Sequence, residues 1–201
     1  MSDTSEGDVP PPRARRQQIL DVAAHMFVER GFRGTSIDDL GAAVGVTGPA
    51  LYRHFPAKEA LLAEILIGVS EELLRGARVR TSPSRDGSAL TSLVEFHVDF
   101  ALDHPELITV QSRDLDCLSE ADQERVRELQ RSYVELWIDT VVAAKLALSR
   151  SRARAAVHAA FGLMNSTPFS ARLERNEMHR LLTDMAIAAI ASSALASSPR
   201  Q

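Results

Sequence analysis

The sequence predicts an all-α fold. Apolar residues recur every three or four positions through most of the chain, as between Leu61 and Leu74, and this spacing places them on one face of a helix. Proline, glycine and serine clusters separate these segments, and no run alternates apolar with polar residues as a half-buried strand does. With 45% apolar residues among 201, the chain can form a small domain followed by a larger one.

The first helix is predicted over residues 13–30. Ile19, Ala23, Met26 and Phe27 share one face of it, and Gly31 suits a C-terminal cap because glycine lacks a Cβ. The preceding residues 1–12 are polar and rich in proline, so we expect a disordered tail there and a second one at residues 197–201.

Residues 36–55 carry the pattern of two short helices joined by a tight turn. Ser36 with Asp39, or Thr35 with Asp38, gives a capping box for the first helix, and Thr47 can cap the second. Such a helix-turn-helix presents its second helix to the major groove of DNA, with the first residues of that helix facing base edges.

The small residues of this segment also fit a helix-turn-helix. Gly45 occupies the turn, where a positive φ is expected, and Gly41 stands where the second helix crosses closely. Pro49 lies in the first turn of the second helix, where no backbone N–H is required. Apolar residues fall where the two helices must meet, at Leu40, Val44, Val46 and Leu51.

Six further helices are predicted after this unit. Thr81–Gly87 is the clearest linker, and Pro105 and Pro168 mark other breaks. The predicted helices cover residues 57–80, 90–104, 105–113, 119–148, 150–165 and 174–195.

The distribution of charge allows a nucleic-acid partner although the net charge is −4. Residues 9–58 contain seven basic and four acidic side chains, so the basic excess coincides with the helix-turn-helix. Charges farther away than ~8 Å are largely screened at physiological salt. A single cysteine, Cys117, excludes an internal disulfide. With no signal-like or membrane-spanning run, we expect a cytoplasmic protein without membrane contact.

Enzyme and metal chemistry find no support in the sequence. Glu95, His97 and Asp99 alternate along a helix and therefore point apart, whereas metal-binding pairs favour i, i+4 spacing. No phosphate-binding loop, zinc-protease motif or nucleophile elbow occurs. We therefore expect no catalytic residue, metal or cofactor.

The end of the helix-turn-helix reads L-Y-x-H-F followed by K-E-x-L, formed by Leu51, Tyr52, His54, Phe55, Lys58, Glu59 and Leu61. Through these residues, the region 13–73 resembles the DNA-binding domain of the TetR/AcrR family of bacterial transcriptional regulators. The resemblance implies phosphate contacts from Thr35, Ser36, Thr47, Tyr52, His54 and Lys58. Gly48, Pro49 and Arg53 would lie nearest the bases, and position in the unit adds Ala50 to the residues close to DNA.

A larger second domain is predicted over residues 81–196. It holds six of the ten aromatic residues, which form either an ordinary core or a ligand cavity. The family resemblance implies a cavity for a small effector there. The aromatic residues favour an apolar or amphipathic effector, for example an acyl thioester, and His97 or Arg113 is a candidate for its polar end. The candidate effector residues are Phe96, His97, Phe100, Arg113, Tyr133, Trp137 and Phe161.

The last two predicted helices are rich in alanine, and small residues allow helices to approach closely. The family resemblance places a homodimer interface there. Together these features predict a ligand-responsive regulator on a palindromic operator, with two recognition helices about 34 to 36 Å apart. That it is a repressor, released from the operator by its effector, is what the family resemblance implies. Two alternatives stay open at this point: a helical-bundle enzyme or carrier for an apolar small molecule, with a purely structural N-terminal motif, and a protein-interaction module.

Overall fold

The computed structural model describes residues 12–82, 89–144, 146 and 148–195. It confirms the all-α prediction, because these residues form ten α-helices, one short 3-10 helix (Leu115–Cys117) and no strand. The tails predicted at residues 1–12 and 197–201 lie outside the described residues except for Pro12, and so do residues 83–87 of the predicted linker. The helices are α1 (Pro12–Gly34), α2 (Ile37–Ala43), α3 (Gly48–Leu51), α4 (Lys58–Arg80), α5 (Ala89–Asp103), α6 (Pro105–Asp114), α7 (Glu120–Ala143), α8 (Arg150–Met164), α9 (Thr167–Ser170) and α10 (Arg175–Leu195).

The chain divides into two compact units, residues 1–65 and 66–201. The long helix α4 begins in the first unit and ends in the second. The domain limits predicted from sequence, 13–73 and 81–196, stay predictions. No helix among the described residues has the length and hydropathy that crossing a bilayer requires.

The first unit is built on a core shared by α1, α2, α3 and the start of α4. Phe27, Leu51 and Leu61 have no exposed surface, and Leu40 and Phe55 are 1% exposed. Because one face of each short helix is buried in this way, tertiary packing stabilises segments that are too short to be stable alone.

Helix α1 extends beyond its predicted end at Arg30. Gly31 adopts the positive φ that a terminating glycine often has (φ 76°, ψ 156°), yet helical structure resumes after it and continues to Gly34. The first helical segment therefore ends at residue 30 as predicted, and Gly31 forms a kink before a short helical continuation that was not predicted.

The second unit surrounds a core formed by the later part of α4 with α5, α7, α8 and α10. Leu93, Trp137, Ile138 and Met164 are fully buried there. Helix α7 ends at Ala143, not at the predicted residue 148. The next helix, α8, is capped by Ser149, whose side chain accepts a hydrogen bond from Arg152 N.

The short helix α9 was not predicted. Pro168 lies in its first turn, where proline is tolerated, and the Thr167 hydroxyl donates a hydrogen bond to the carbonyl of Ala101 at 2.6 Å. A four-residue helix leaves no periodic pattern in sequence, and here a contact with a residue 66 positions away holds its start.

Candidate nucleic-acid interface and ligand pocket

Helix α2 begins with a complete capping box. The Ser36 hydroxyl accepts a hydrogen bond from Asp39 N at 3.0 Å, and the Asp39 carboxylate accepts one from Ser36 N at 3.1 Å. The hydrogen bonds from Ser36 hold the pKa of Asp39 below its usual range. Of the two predicted pairs, the structure thus uses Ser36 and Asp39, and both groups remain exposed.

The turn between α2 and α3 confirms two predictions about glycine. Gly45 has φ 70°, a conformation that other residues adopt only with strain. At Gly41, an added Cβ would lie 2.8 Å from the carbonyl oxygen of Val46, which is backbone and cannot rotate away. The close approach of α2 to the turn therefore requires a residue without a side chain at position 41.

Helix α3 starts after Thr47, whose side chain accepts a hydrogen bond from Ala50 N at 3.3 Å. Pro49 lies in the first turn, as predicted. Of the predicted DNA-contacting residues, five are exposed and three are half-buried. The exposed ones are Ser36, Thr47, Pro49, Tyr52 and Arg53, and the half-buried ones are Ala50, His54 and Lys58.

Two of the residues predicted to lie at the DNA, Thr35 and Gly48, are buried in the structure. Thr35 is only 1% exposed, and its hydroxyl donates to the carbonyl of Gly31 at 2.9 Å, so it does not face solvent where a phosphate would bind. Gly48 is buried beside Asp38, whose Oδ1 would lie 2.2 Å from an added Cβ. The small size of Gly48 therefore serves the contact between α2 and α3.

Lys58 has an internal role that the sequence did not predict. Its Nζ donates to the carbonyls of Phe32 at 2.7 Å and Thr35 at 2.8 Å, and it lies 4.3 Å from the centre of the Phe32 ring. An ammonium group has three N–H donors, so one is left for another acceptor. Lys58 thus joins the start of α4 to the end of α1, and its phosphate contact stays a prediction.

Arg16 is a structural residue of this unit that sequence reasoning missed. Its guanidinium lies 4.1 Å from the centre of the Phe55 ring, its Nε donates to Glu64 Oε1 at 2.9 Å, and Nη1 bonds the carbonyl of His54. These partners are 38 to 48 residues away in sequence, so no local pattern identifies them. Arg16 connects α1 to α4 and to the residues directly after α3.

The second unit contains a cavity of about 200 Å³, which we call the aromatic pocket. Five helices contribute to its walls, from α4 to α8, and Asn165 follows the last of them. Its lining consists of Ser70, Leu73, His97, Gln111, Leu129, Gln130, Tyr133, Val134, Phe161 and Asn165. A wider groove of about 810 Å³ lies along α4, α5 and α7, but it contains none of the predicted effector residues.

Three of the seven predicted effector residues line the aromatic pocket. His97, Tyr133 and Phe161 form a ring cluster there, with the Tyr133 and Phe161 rings nearly parallel at 8° and 5.7 Å between centroids. Trp137 is fully buried behind them, with its ring 5.0 Å from that of Phe161. It supports the wall without forming part of the lining.

The other three predicted residues lie elsewhere in the unit. Phe96 packs against Gly76 and has the Arg80 guanidinium 3.9 Å from its ring centre. Phe100 packs between the rings of His97 and His104. Arg113 pairs with the neighbouring Asp114 at 2.9 Å. Helical periodicity placed Phe96, Phe100 and Arg113 on the right helices but could not tell which face meets the pocket.

His97 forms the polar centre of the pocket. It is 3% exposed, its Nδ1 lies 2.9 Å from the Tyr133 hydroxyl, and its Nε2 lies 3.0 Å from Asn165 Oδ1. Burial lowers the pKa of His97 to about 4, although the hydrogen bond to Asn165 opposes the shift. Burial also raises the pKa of Tyr133 above its ordinary value. Both groups are therefore uncharged near neutral pH.

Four polar residues of the pocket were not predicted: Ser70, Gln111, Gln130 and Asn165. The available signal was a polar side chain on the buried side of an amphipathic helix, but the sequence offers many half-buried polar residues of this kind. Within the described ranges, no group of three or more His, Cys, Asp or Glu side chains is placed to hold a metal ion.

Comparison with known proteins identifies both units. Residues 19–65 match the family described as bacterial regulatory proteins, tetR family, and residues 88–169 match the tetracyclin repressor-like C-terminal domain. The HTH-type transcriptional repressor KstR2 of Rhodococcus jostii (strain RHA1) is 32% identical over 132 residues, which cover 64% of this chain and 64% of that protein. This chain thus spans less than two thirds of that relative's length.

The fold is shared with solved structures of other regulators. A TetR-family transcriptional regulator from Bordetella parapertussis 12822 has a TM-score of 0.76 and 22% identity, covering 92% of this chain and 98% of that one. The transcriptional regulator FadR from Bacillus subtilis, in complex with stearoyl-CoA, has a TM-score of 0.64 and 14% identity, covering 86% and 98%. Because the two family matches together account for more than half of its residues, the chain belongs to the TetR family of bacterial regulatory proteins.

Proposed function

We propose that this chain is a DNA-binding transcriptional regulator whose affinity for its operator is controlled by a small molecule. The observation that carries the proposal is the geometry of α2, its turn and α3. Both helices are capped, the turn contains a glycine at φ 70°, and Thr47, Pro49, Tyr52 and Arg53 lie exposed at and just after α3. A helix held in this way can enter a major groove with little reorganisation.

Arg53 is the side chain best suited to read bases in this arrangement. It is exposed just after α3, and a guanidinium can form two hydrogen bonds with a guanine edge. Ser36, Thr47, Tyr52, His54 and the remaining donor of Lys58 are proposed to contact phosphate, with Pro49 and Ala50 near the bases. Thr35 and the position of Gly48 contribute through packing.

The test is a titration of fluorescently labelled DNA from the chain's own upstream region, followed by anisotropy at several salt concentrations. Specific binding should weaken steeply with salt. Arg53→Ala should reduce the preference for that DNA over unrelated DNA by about 1–3 kcal/mol. Arg172→Ala removes the same charge from an exposed site in the second unit and serves as the control.

If the unmodified protein binds no DNA specifically but retains an apolar ligand, the proposed regulator is wrong and the alternative of a carrier for an apolar small molecule is supported. If Arg53→Ala and Arg172→Ala behave alike, the assignment of base contact to Arg53 is wrong. Retention of the specific complex with a flat salt response would argue against the phosphate contacts.

The aromatic pocket is the proposed effector site. Ser70 and Leu73 of α4 line it, and α4 is the helix that begins at Lys58 in the first unit. A ligand that binds more tightly to one position of α4 than to another would therefore alter DNA affinity. The coupling free energy between two such sites is typically about 1–3 kcal/mol. By analogy with relatives named as a repressor and as a stearoyl-CoA complex, we propose a repressor released by an apolar or amphipathic effector, such as an acyl thioester.

Release can be measured directly by adding candidate effectors to the preformed complex with labelled DNA. An effector should lower operator affinity in the wild-type protein, and Phe161→Ala should need a higher effector concentration for the same release because it removes one pocket wall. Equal response of the variant would place the effector elsewhere.

A homodimer formed through α8 and α10 is also proposed. Ala156, Ala160 and Ala186 are buried within the chain, whereas another set of small residues is exposed: Ala155, Ala159, Gly162 and Ala188. Leu181 and Met185 on α10 are exposed by 42% and 46%. A second copy would cover these apolar groups and place two α3 helices on a palindromic operator.

Light scattering after size exclusion tests the dimer. The wild-type chain should have twice the monomer mass, and Ala159→Glu should shift it toward the monomer because two like charges would meet at the two-fold interface. Ser151→Glu is the control, since Ser151 is exposed near the start of the same helix. A monomeric wild-type protein at micromolar concentration would overturn the dimer and the spacing of its reading helices.

A further inference from the structure

The walls of the aromatic pocket carry polar groups but no charged side chain. Among the residues that the structure describes, no Asp, Glu, Lys or Arg lines it. Its polar groups are three primary amides, two hydroxyls and one imidazole, and the rest of the lining is aliphatic or aromatic. This composition limits which ligands can enter without losing favourable interactions with water.

Both ring nitrogens of His97 are already used in hydrogen bonds within the protein. Asn165 Oδ1 is an acceptor, so His97 Nε2 donates to it, and Nδ1 then accepts the proton of the Tyr133 hydroxyl. Both ring nitrogens are satisfied in the uncharged form. The low pKa of His97, about 4, agrees with this pattern.

The remaining hydrogen-bonding capacity belongs mainly to the amides. The carbonyl of Asn165 is used by His97, which leaves its two N–H donors. Gln111 of α6 and Gln130 of α7 each add two donors and one acceptor to the lining. Such groups suit a carbonyl, amide or hydroxyl, each of which can be satisfied without a counter-ion.

A carboxylate would lack a partner of opposite charge at this position. The positive charge of Arg80 favours the ionised form of Tyr133. However, the Arg80 guanidinium covers the Phe96 ring and donates to the carbonyl of Gly76 at 3.1 Å. It does not form part of the pocket lining. Transfer of an ion from water into uncharged walls is unfavourable unless the ion is paired.

The volume of the pocket also restricts the ligand. A cavity of about 150 Å³ is sufficient for benzene in other proteins. At about 200 Å³, the aromatic pocket has room for a substituted ring of that class. Leu73, Leu129 and Val134 provide the aliphatic surface against which such a ring can pack.

We infer that the aromatic pocket binds a compact uncharged ring compound bearing a carbonyl, amide or hydroxyl group, and that it discriminates against the corresponding carboxylate. The inference rests on the proposed effector role of the pocket and specifies the chemical class of the group that enters it. An acyl thioester fits only if its acyl part alone occupies the pocket.

Three probes of equal size test this inference: benzamide, acetophenone and benzoate. They have the same number of non-hydrogen atoms, and only benzoate is charged at pH 7. Trp137 is the only tryptophan, and its ring contacts the rings of three lining residues, so its indole N–H gives a single reporter resonance in the 15N-labelled full chain.

Benzamide and acetophenone should shift this resonance in a saturable way at millimolar concentration. Benzoate should bind at least about tenfold more weakly, because its charge loses hydration without gaining a partner. Equal or tighter binding of benzoate would overturn the inference, and so would the absence of saturable binding by both uncharged probes.

A gain-of-function variant provides a second test. Gln130→Arg places a cation in the pocket wall on α7 and should give benzoate saturable binding comparable to that of benzamide. Ala121→Arg adds the same charge at an exposed position of the same helix and should leave the order of the probes unchanged. Acquisition of benzoate binding by Ala121→Arg, or its absence in a folded Gln130→Arg variant, would contradict the inference.

The operator measurement separates this inference from the proposed function. If the probes bind in the expected order but no compound of this class alters DNA affinity, the regulatory proposal fails and the ligand class stands. If DNA is released by uncharged ring compounds that leave the Trp137 resonance unchanged, the ligand acts at another site and the inference fails.

Discussion

Nδ1 of His97 lies 2.9 Å from the hydroxyl of Tyr133 and joins α5 to α7 in the interior of the second unit. Burial at this position lowers the pKa of His97 and keeps its imidazole uncharged near neutral pH. The energetic consequence is a dependence of folding stability on pH.

Acid should destabilise the protein partly through His97. The pKa of His97 is about 4 in the folded protein, and its ordinary value is 6.5. Between these pH values, His97 is protonated in the unfolded chain and unprotonated in the folded one. The free energy of unfolding should therefore fall as the pH decreases through this range, by up to about 3 kcal/mol. Above about pH 6.5 His97 contributes no pH dependence.

Urea unfolding at pH 7 and pH 4.5 measures this effect. His97→Gln removes the ionisable group and should lose less stability than the wild-type protein between the two pH values. His158→Gln replaces an exposed histidine on α8 and should behave like the wild-type protein. The same pH dependence in all three proteins would rule out His97 as the cause.

Gly41→Ala should destabilise the first unit although alanine favours helices. The gain in helix propensity is about 1 kcal/mol. The added Cβ would lie 2.8 Å from Val46 O and 3.1 Å from Gly48 N, and such overpacking typically costs about 1–3 kcal/mol. Since both neighbours are backbone atoms, we expect a net loss of about 1 kcal/mol and weaker DNA binding.

The matched control for this change is Gly68→Ala, at an exposed position of α4 where an added Cβ meets nothing within 4 Å. It should be neutral or stabilising by up to about 1 kcal/mol. Thermal unfolding compares the stability of the two variants. A Gly41→Ala protein as stable as Gly68→Ala would show that the turn can shift to accommodate the added methyl group.

Lys58→Met should lower the stability of the first unit by about 1–3 kcal/mol, because the carbonyls of Phe32 and Thr35 would lose a charged donor. Methionine retains much of the apolar stem. Arg33→Met removes one cation from an exposed position and should change the free energy of unfolding little. Urea unfolding of both variants is the measurement, and an equal effect would show that the internal contacts of Lys58 add nothing.

A DNA titration of Lys58→Met tests the proposed phosphate contact separately. If the third N–H donor meets a phosphate, the slope of log affinity against log salt should decrease by about 1. An unchanged slope in a folded variant would restrict Lys58 to its structural role.

Arg16→Lys should increase local motion around α3 while preserving charge. Lysine cannot hold both oxygens of Glu64, reach the carbonyl of His54 and cover the Phe55 ring with a planar group. The pair is about two-fifths exposed, so the loss of stability should be no more than about 1 kcal/mol. Hydrogen exchange by mass spectrometry should accelerate in peptides covering α3 and remain constant in α8. Unchanged exchange in α3 would contradict this role.

Local rules sufficed for much of the first unit. A capping box, a turn glycine and a capped second helix involve residues at most a few positions apart. The roles of Ser36, Gly45 and Thr47 could therefore be predicted from the sequence. Thr35 was assigned to phosphate by resemblance, whereas the fold buries its hydroxyl against Gly31. The hydrogen-bond partner of such a side chain depends on where the end of α1 meets the start of α4.

The amino-acid sequence by itself determined the helical class, most helix positions, the helix-turn-helix and its family, because periodicity and capping act within a few residues. Only the tertiary structure decided that Phe96 and Phe100 pack outside the aromatic pocket, and that Gln111, Gln130 and Asn165 join His97 in its walls. The physical reason is that a pocket between five helices depends on their relative rotation and crossing. These are set by the sum of many long-range contacts, which no local pattern encodes.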